Sequence, residues 1–447
     1  MPDLPTPVPT SPSLPPDDDL RQVLHDEVHA RPSARIRLPA LVTYVAVLNE
    51  DVSREEERAH LQTLDGQHEL SLEDLKDNFL TLRLDGCAMK WERHSEFTRY
   101  TVVQSLSPEP SPGGDGQAPG LPPCPVAGWL GAIPGRTIAA IEMPMLHGDP
   151  REPQGALRHG RTWFGDRAVI ASMMGGYACA ITDLRLGPGG FERILVVAPP
   201  DTSVTRAGRI SQRLLEIETY RLMALRGLPR AKALGPMLHA AEAGLADITA
   251  RLEGTASSDQ ELLDRLTALA ATVERATAEN GYRFSATQAY DALVRQRIAE
   301  LRESPVPGAQ TIGDFMQRRL SPAMATVAST SNRLAALSTR VERAGALLRT
   351  RVDIATEAQN QQLLGKLTRG QELQLRLQST VEGLSIAAIS YYVVSLLLYV
   401  GKAAKAAGAP IDPELAAGLA IPLVLWAVWR TTRRIHDRLH RVGARKT

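Results

Sequence analysis

Two apolar stretches near the C-terminus constrain the fold of this 447-residue chain more than any other feature. Neither Leu384–Val400 nor Leu415–Trp429 carries a charged side chain. A helix of about 20 apolar residues crosses the hydrocarbon core of a bilayer, and both stretches reach that length with their flanking residues. We therefore predict a transmembrane hairpin over residues 384–429, with spans at about 384–402 and 413–432.

The residues that flank these stretches are typical of a membrane interface. Lys402 can extend its ammonium group to the lipid headgroups, and indole rings such as those of Trp426 and Trp429 favour the interfacial region. A basic tail, residues 430–447, begins with Arg430, Arg433 and Arg434. Because Lys and Arg concentrate on the cytoplasmic side, both termini are predicted to be cytoplasmic. A buried helical hairpin in a soluble domain is the alternative, and it does not account for this tail.

The N-terminal part has the pattern of an α+β domain. Leu41–Leu48 is a nearly continuous apolar and β-branched run, which predicts a strand buried on both faces. A capping-box pattern, Ser53–Glu56, predicts a helix that continues to His60. Further strands, the first pair joined by a turn at Asp85-Gly86, are predicted at Phe79–Leu84, Ala88–Arg93, Phe97–Val103, Thr137–Met143, Val169–Ile181 and Arg193–Ala198.

After Pro199-Pro200 the apolar residues follow a helical period. Helices are predicted at Ala207–Leu225, Met237–Leu252, Ser258–Glu279 and Ser285–Glu303. Asn280-Gly281 is a helix-ending pair and is predicted to separate the last two.

A long stalk follows, with no proline between Ala323 and Val400. Its apolar residues step by three and four, the spacing of a packed helical seam, as in a coiled coil. They are Leu334, Leu337, Val341, Ala344 and Leu348, then less strictly Leu363, Leu367 and Leu373. One continuous helix and a helix kinked at Gly345, Gly365 or Gly370 both fit this pattern. Helices from residues 206 to 303 of the same chain could cover this stripe and give a monomeric bundle. Because they look too short to cover its whole length, we predict a homo-oligomer.

Composition and motifs limit the chemistry. A net charge of +1 gives no basic face for nucleic acid, so no nucleic-acid partner is predicted. His25 and His29 have the spacing of an H-E-x-x-H zinc motif, but Asp26 stands where the catalytic glutamate belongs and Arg31-Pro32 ends the helix. They are retained as metal candidates, although a short polar helix is the favoured interpretation. No cofactor is predicted.

The segment W-E-R-H-S-E-F, Trp91–Phe97, ends one predicted strand and begins the next. Glu92 and His94 share one strand face and Arg93 lies on the other. These three residues form a candidate polar site, and a turn with cross-strand ion pairs is the ordinary alternative.

Two other features have structural interpretations. Met174–Tyr177 lacks the pattern of a phosphate-binding loop and predicts a bend or bulge within a strand. Arg213, Glu216 and Glu218 lie on an otherwise apolar helix, which predicts paired charges at a domain junction.

Four strings resemble a bacterial family of uncharacterised membrane-anchored proteins, a domain of unknown function. They are L-H-D-E-V-H-A-R-P (Leu24–Pro32), W-E-R-H-S-E-F (Trp91–Phe97), A-G-R-I-S-Q-R-L-L-E-I-E-T-Y-R-L-M-A-L (Ala207–Leu225) and L-R-L-Q-S-T-V-E-G-L-S-I-A-A-I-S-Y-Y (Leu375–Tyr392). The resemblance implies a bacterial inner-membrane protein and brings no activity or catalytic residue with it.

The order of domain, stalk and two spans is also similar in architecture to the CorA-type magnesium transporters. Those carry Gly-Met-Asn at the outer end of the first span, where this chain has Tyr399–Lys402. A lysine at a pore mouth repels a divalent cation.

Together these features predict an α+β fold with a cytoplasmic, mainly antiparallel sheet domain, a long helical stalk and a C-terminal two-helix transmembrane hairpin in the lipid bilayer. The predicted segments are a disordered arm (1–20), the α+β domain (21–200) with a flexible insertion (105–128), the helical bundle and stalk (201–383), the hairpin (384–429) and the tail (430–447). The leading hypothesis is a non-enzymatic scaffold or sensor. A CorA-like ion channel or transporter is the alternative, and a metal-dependent enzyme is third.

Overall fold

A computed structural model describes residues 15–22, 24–25, 32–106, 121–165, 168–173, 175–254, 258–408, 410 and 412–443. Most of the predicted arm and of the predicted insertion lies outside these residues, and so does His29. The chain divides into two compact units. The N-terminal unit comprises Met1–Ser257 and Asp264–Ala344, and the C-terminal unit comprises Ser258–Leu263 and Gly345–Thr447.

The described residues of the N-terminal unit form a nine-stranded sheet in the order β2-β3-β4-β1-β5-β8-β7-β6-β9. The strands are β1 Ala40–Leu48, β2 Phe79–Leu84, β3 Cys87–Arg93, β4 Phe97–Ser105, β5 Arg136–His147, β6 Val169–Met173, β7 Ala178–Leu186, β8 Glu192–Ala198 and β9 Ser304–Pro305. Among the strands that the structure describes, only β5 and β8 pair in parallel, so the predicted mainly antiparallel sheet is confirmed.

Strand β1 is central, between β4 and β5, and it is buried on both faces as predicted. Val42 and Tyr44 join the core on one face of the sheet. Val45 and Val47 join a second core on the other face. The continuous apolar run of β1 follows from this double burial.

The prediction of a single strand over Val169–Ile181 is wrong. Two antiparallel strands, β6 and β7, replace it, and the chain reverses between them. Gly175 and Gly176 have φ angles of +70° and +89°, which a tight turn requires and other residues rarely adopt. Met174 lies outside the described residues.

The helices are α1 Arg54–Leu61, α2 Ala127–Leu130, α3 Pro153–Phe164, α4 Val204–Leu225, α5 Gly227–Glu253, α6 Asp259–Leu301, α7 Ile312–Arg319, α8 Ser321–Ala406 and α9 Pro413–Gly443. The capping box of α1 is confirmed, because the Glu56 amide donates to Ser53 Oγ (3.2 Å) and the Ser53 amide donates to Glu56 Oε2 (2.8 Å). The sequence did not predict α2, α3 or α7.

The predicted break at Asn280-Gly281 is wrong, since α6 runs through it. The Asn280 side chain donates to the Ala276 carbonyl inside the helix (2.8 Å). Val273 and Phe284, on either side, are buried at 1% and 2% exposure. Packing of these apolar residues outweighs the local preference of the Asn-Gly pair.

Helix α4 packs on the sheet and fixes the geometry of the site described below. Ala207, Ile210 and Leu214 lie in the same core as Val42 of β1. Gly208 faces the backbone of Ala34 so closely that an added Cβ would overlap the Ala34 carbonyl.

Helix α8 extends over 86 residues, and none of Gly345, Gly365 and Gly370 ends it. Its early seam residues, Leu334, Leu337 and Val341, are buried in the N-terminal unit. Within the C-terminal unit, Leu363 and Leu367 are each 58% exposed. By length and composition, helices α8 and α9 are both long and apolar enough to cross a membrane.

Candidate functional site

The turn between β3 and β4 is the centre of the candidate site. The His94 amide donates to the Phe97 carbonyl (2.8 Å) and closes the turn. The Asn49 side chain donates to the His94 carbonyl (2.9 Å), and the Asn49 amide donates to the Glu96 carbonyl (3.2 Å). The turn is therefore held against the end of β1, the central strand.

A cleft of about 560 Å³ lies beside this turn. Its polar lining comes from α1, from the residue before β2, from the end of β3 and from the turn. Its apolar wall comes from β4, α4 and α6. The lining residues are Arg54, Asn78, Arg93, His94, Ser95, Phe97, Tyr220, Tyr290 and Leu293.

Three aromatic rings form the wall. The ring centroid of Phe97 lies 6.5 Å from those of Tyr220 and Tyr290, and the two tyrosine rings are 5.8 Å apart. The His94 ring stacks on Phe97 at 4.6 Å. Burial raises the pKa of Tyr220 and raises the pKa of Tyr290 to about 12, so both phenols keep their protons at neutral pH.

Arg54 and Arg93 are held in place on the polar side of the cleft. Arg54 Nη2 donates to Asn78 Oδ1 (2.7 Å), and Arg93 Nη2 donates to the Val52 carbonyl (2.7 Å). Arg93 Nη1 also lies 2.8 Å from Glu57 Oε2. Burial raises the pKa of Glu57 in spite of this contact.

A buried ion network lies behind the cleft, between the sheet and the helices. Arg99 Nε and Nη2 donate to Glu92 (2.6 and 2.8 Å), and Arg99 Nη1 is 3.3 Å from Glu216. Lys90 lies 3.0 Å from Glu92, and Arg297 lies 2.5 Å from Glu216.

The charges of this network shift one another's pKa values. Burial alone would raise the pKa values of Glu92 and Glu216, but the Arg99 guanidinium reverses the effect and lowers both. Burial also lowers the pKa of Lys90, although the Glu92 carboxylate opposes this. Both carboxylates are therefore ionised in the folded state.

The predicted polar site is thus divided between two places. Arg93 and His94 line the cleft, whereas Glu92 belongs to the ion network. The predicted pairing on α4 is confirmed, because Arg213 lies 3.3 Å from Glu300 and Glu218 contacts Arg221. These pairs lie inside the N-terminal unit.

The metal candidates do not gain a site. His25 is exposed, and His29 lies outside the described residues. In the part of the chain that the structure describes, no group of three or more His, Cys, Asp or Glu side chains is arranged to hold a metal ion.

The predicted interface residues lie on α8 and α9. The guanidinium of Arg430 lies 4.9 Å from the Trp426 ring centroid, and that of Arg433 lies 4.9 Å from the Trp429 ring centroid. Lys402 and Arg434 are exposed. Cation–π pairs of this kind are consistent with an aromatic and basic interfacial belt.

Sequence reasoning missed several cleft residues. Arg54, Asn78 and Tyr290 come from three separate elements, and the chain order gives no signal that they meet. It also missed the ion pair between Arg283 of α6 and Glu96 of the turn, both about 5% exposed. Phe97 and Tyr220 each lie within one of the quoted strings, and these two residues were the only wall residues that the sequence indicated.

Comparison with known proteins gives one match. The model of the family described as "Protein of unknown function (DUF3422)" covers residues 16–439. No curated protein and no solved structure matches the chain. The architectural likeness to CorA-type transporters gains no support from these comparisons.

Proposed function

The chain belongs to the DUF3422 family of proteins of unknown function, and we propose that it is a membrane-anchored, non-enzymatic binding protein. In this proposal α8 and α9 anchor the chain in the bilayer, and the N-terminal unit acts as a scaffold or sensor in the cytoplasm. The observation that carries the proposal is the exposure of large apolar side chains on the last two helices.

These apolar side chains have no cover within the single chain. On α8, Leu384 and Leu396 are 68% and 64% exposed, and on α9 Leu419 and Leu423 are 72% and 69% exposed. Burying a side chain of this size contributes about 1.5–3 kcal/mol. Monomeric soluble proteins rarely leave such large apolar patches in water, and lipid chains would cover them.

The basic residues support a specific orientation. Arg430, Arg433 and the rest of the tail would keep the C-terminus of α9 on the cytoplasmic side of a bacterial inner membrane. Two spans then leave both termini on that side. A reporter enzyme that is active only in the periplasm, fused after Thr447, should be inactive, and activity would refute this orientation.

Membrane extraction tests the anchor itself. The full chain should stay in the membrane pellet after carbonate treatment. Changing Tyr392→Arg together with Leu396→Arg places two guanidinium groups in the middle of the first span, at a cost of about 2.5–3.5 kcal/mol each, and should release the protein. Leu186→Arg is the matched control, because Leu186 is 74% exposed on β7 of the N-terminal unit. Release of the unchanged chain by carbonate would refute the anchor, and equal retention of both variants would show that α8 is not part of it.

The cleft supports the binding role. It brings aromatic rings and guanidinium groups to one concave surface, the combination that small-molecule sites use for contact area and orientation. Its polar groups are held by hydrogen bonds before any ligand arrives.

A further inference from the structure

We propose that the cleft beside the β3–β4 turn binds a small anion that carries a flat aromatic ring, with the ring against the exposed parts of Tyr220 and Tyr290 and the negative charge near Arg54 and Arg93. The anionic group is a carboxylate or a phosphate. This inference rests on the proposed binding role of the N-terminal unit and names the ligand class for it.

The charge of the lining selects an anion. Arg54 and Arg93 line the cleft, and none of the described lining residues is acidic. Glu57, which pairs with Arg93, is fully buried behind it. The hydrogen-bond partner of Arg54 is the neutral amide of Asn78. Planar guanidinium groups match carboxylate and phosphate oxygens through paired N–H donors.

The opposite wall selects a flat ring. Phe97 is 1% exposed beneath the His94 ring, and Tyr220 and Tyr290, which pack on it, are 8% and 9% exposed, so the two tyrosines supply the aromatic contact in the cleft lining. A volume of about 560 Å³ is in the range of small-molecule sites, roughly 300–1,000 Å³. The tyrosine phenols remain neutral and do not repel an anion.

The site is also preorganised. Asn49 fixes the turn, Asn78 holds Arg54, and the Val52 carbonyl holds Arg93. Groups that are already ordered lose little entropy on binding, so the ligand's contacts contribute more of their energy to affinity.

Calorimetric titration of the full chain in detergent, with three matched probes, tests the proposal. Naphthalene-2-carboxylate has both the ring and the charge, naphthalene-2-carboxamide lacks the charge, and cyclohexanecarboxylate lacks the aromatic ring. We expect saturable binding of the first probe and at least tenfold weaker binding of the other two. Equal affinity for the acid and the amide, or for the aromatic and the saturated acid, would overturn the proposal.

Two variants assign the binding to the cleft. Arg54→Gln should weaken naphthalene-2-carboxylate binding at least tenfold, and Tyr290→Leu should remove the preference over cyclohexanecarboxylate. Arg295→Gln is the control, since Arg295 is 68% exposed and is not part of the cleft lining. Unchanged melting curves establish that each variant is folded. The same affinity for Arg54→Gln and Arg295→Gln would place the binding elsewhere and refute the site.

The test of the ligand site can fail independently of the test of the membrane anchor. If carbonate extraction shows a firm anchor and no probe binds, the ligand site fails and the anchor stands. If the probes bind as expected and carbonate releases the chain, the anchor fails and the ligand site stands.

Discussion

Arg99 holds a positive charge at 4% exposure between the sheet and α4. It is compensated by Glu92 and Glu216, which come from β3 and from α4. Removing such ions from water costs several kcal/mol each, and only the complete set of partners offsets that cost. The network is therefore sensitive to the loss of any one member.

Glu92→Gln should destabilise the N-terminal unit by about 3 kcal/mol, because Arg99 and Lys90 would both lose their carboxylate in a buried position. Urea unfolding followed by tryptophan fluorescence measures this, since Trp91 is fully buried in β3. Glu242→Gln is the control, as it removes the exposed pair with Arg333 and should leave stability nearly unchanged. Equal midpoints for the two variants would contradict the role of the network.

The raised pKa of Glu192 predicts that the stability of the N-terminal unit depends on pH. Burial and the neighbouring Glu218 carboxylate raise the pKa of Glu192 from 4.5 to about 9. The folded state therefore keeps a proton that the unfolded state releases, so the contribution is full below pH 4.5 and is lost as the pH rises towards 9. Glu192→Gln, which cannot ionise, should flatten the decline in urea midpoint between about pH 5 and 9. Parallel profiles for the variant and the natural protein would exclude this assignment.

At the level of helices, we predict that replacing glycine with alanine has opposite effects on stability at two positions. Gly281→Ala should raise stability by about 1 kcal/mol, because the site is inside α6 and nothing lies within 4 Å of the added Cβ. Gly208→Ala should lower stability by about 1–3 kcal/mol, because its Cβ would overlap the Ala34 carbonyl. Thermal unfolding compares the two, and a change of the same sign in both would contradict the packing of α4 or the continuity of α6.

The elements show where sequence patterns are sufficient. Residues that are close in the chain determine three features that were predicted. These are the hairpin of β2 and β3, the capping box of α1 and the burial of β1 on both faces. Two pairs that contain glycine were predicted incorrectly. Asn280-Gly281 was predicted to end a helix but lies inside one, and Gly175-Gly176 was predicted to bend a continuing strand but lies between two strands. Packing around Phe284 decides the first, and antiparallel pairing of β6 with β7 decides the second.

For the whole molecule, the exposed leucines in the later part of α8 lead to the same prediction as the sequence pattern, which is self-association. Leu363, Leu367, Leu373 and Leu377 are 58–67% exposed in the single chain. A second copy of α8 is the simplest cover for this stripe. The chain should therefore be a homo-oligomer in mild detergent, and Leu367→Glu should reduce its mass as measured by light scattering.

Gln362→Glu is the control for that measurement, because it adds the same charge to an exposed position outside the stripe. If the natural chain has the mass of a monomer, and Leu367→Glu does not change it, the oligomer prediction is wrong.

The sequence reveals the apolar helices more readily than it reveals the cleft. The apolar helices and their Trp and Arg flanks are contiguous segments, so hydropathy alone locates them. The cleft joins Arg54 to Tyr290, more than 200 residues apart, and depends on how α6 returns to the sheet. No local pattern encodes that meeting, and the W-E-R-H-S-E-F segment contains only the part of the cleft lining that runs from Arg93 to Phe97.

The position of β9 also sets an order of events during synthesis. Ser304 and Pro305 pair with Ser172 and Ala171 of β6, so the last strand of the sheet is made about 80 residues before Leu384. At roughly 5–20 residues per second this interval lasts about 4–16 seconds. Sheets with many non-local pairings fold in milliseconds to seconds. The ribosome would thus complete the strands early enough for the sheet to form before the apolar segment that begins at Leu384 has been made. That segment could otherwise compete with the strands for packing partners.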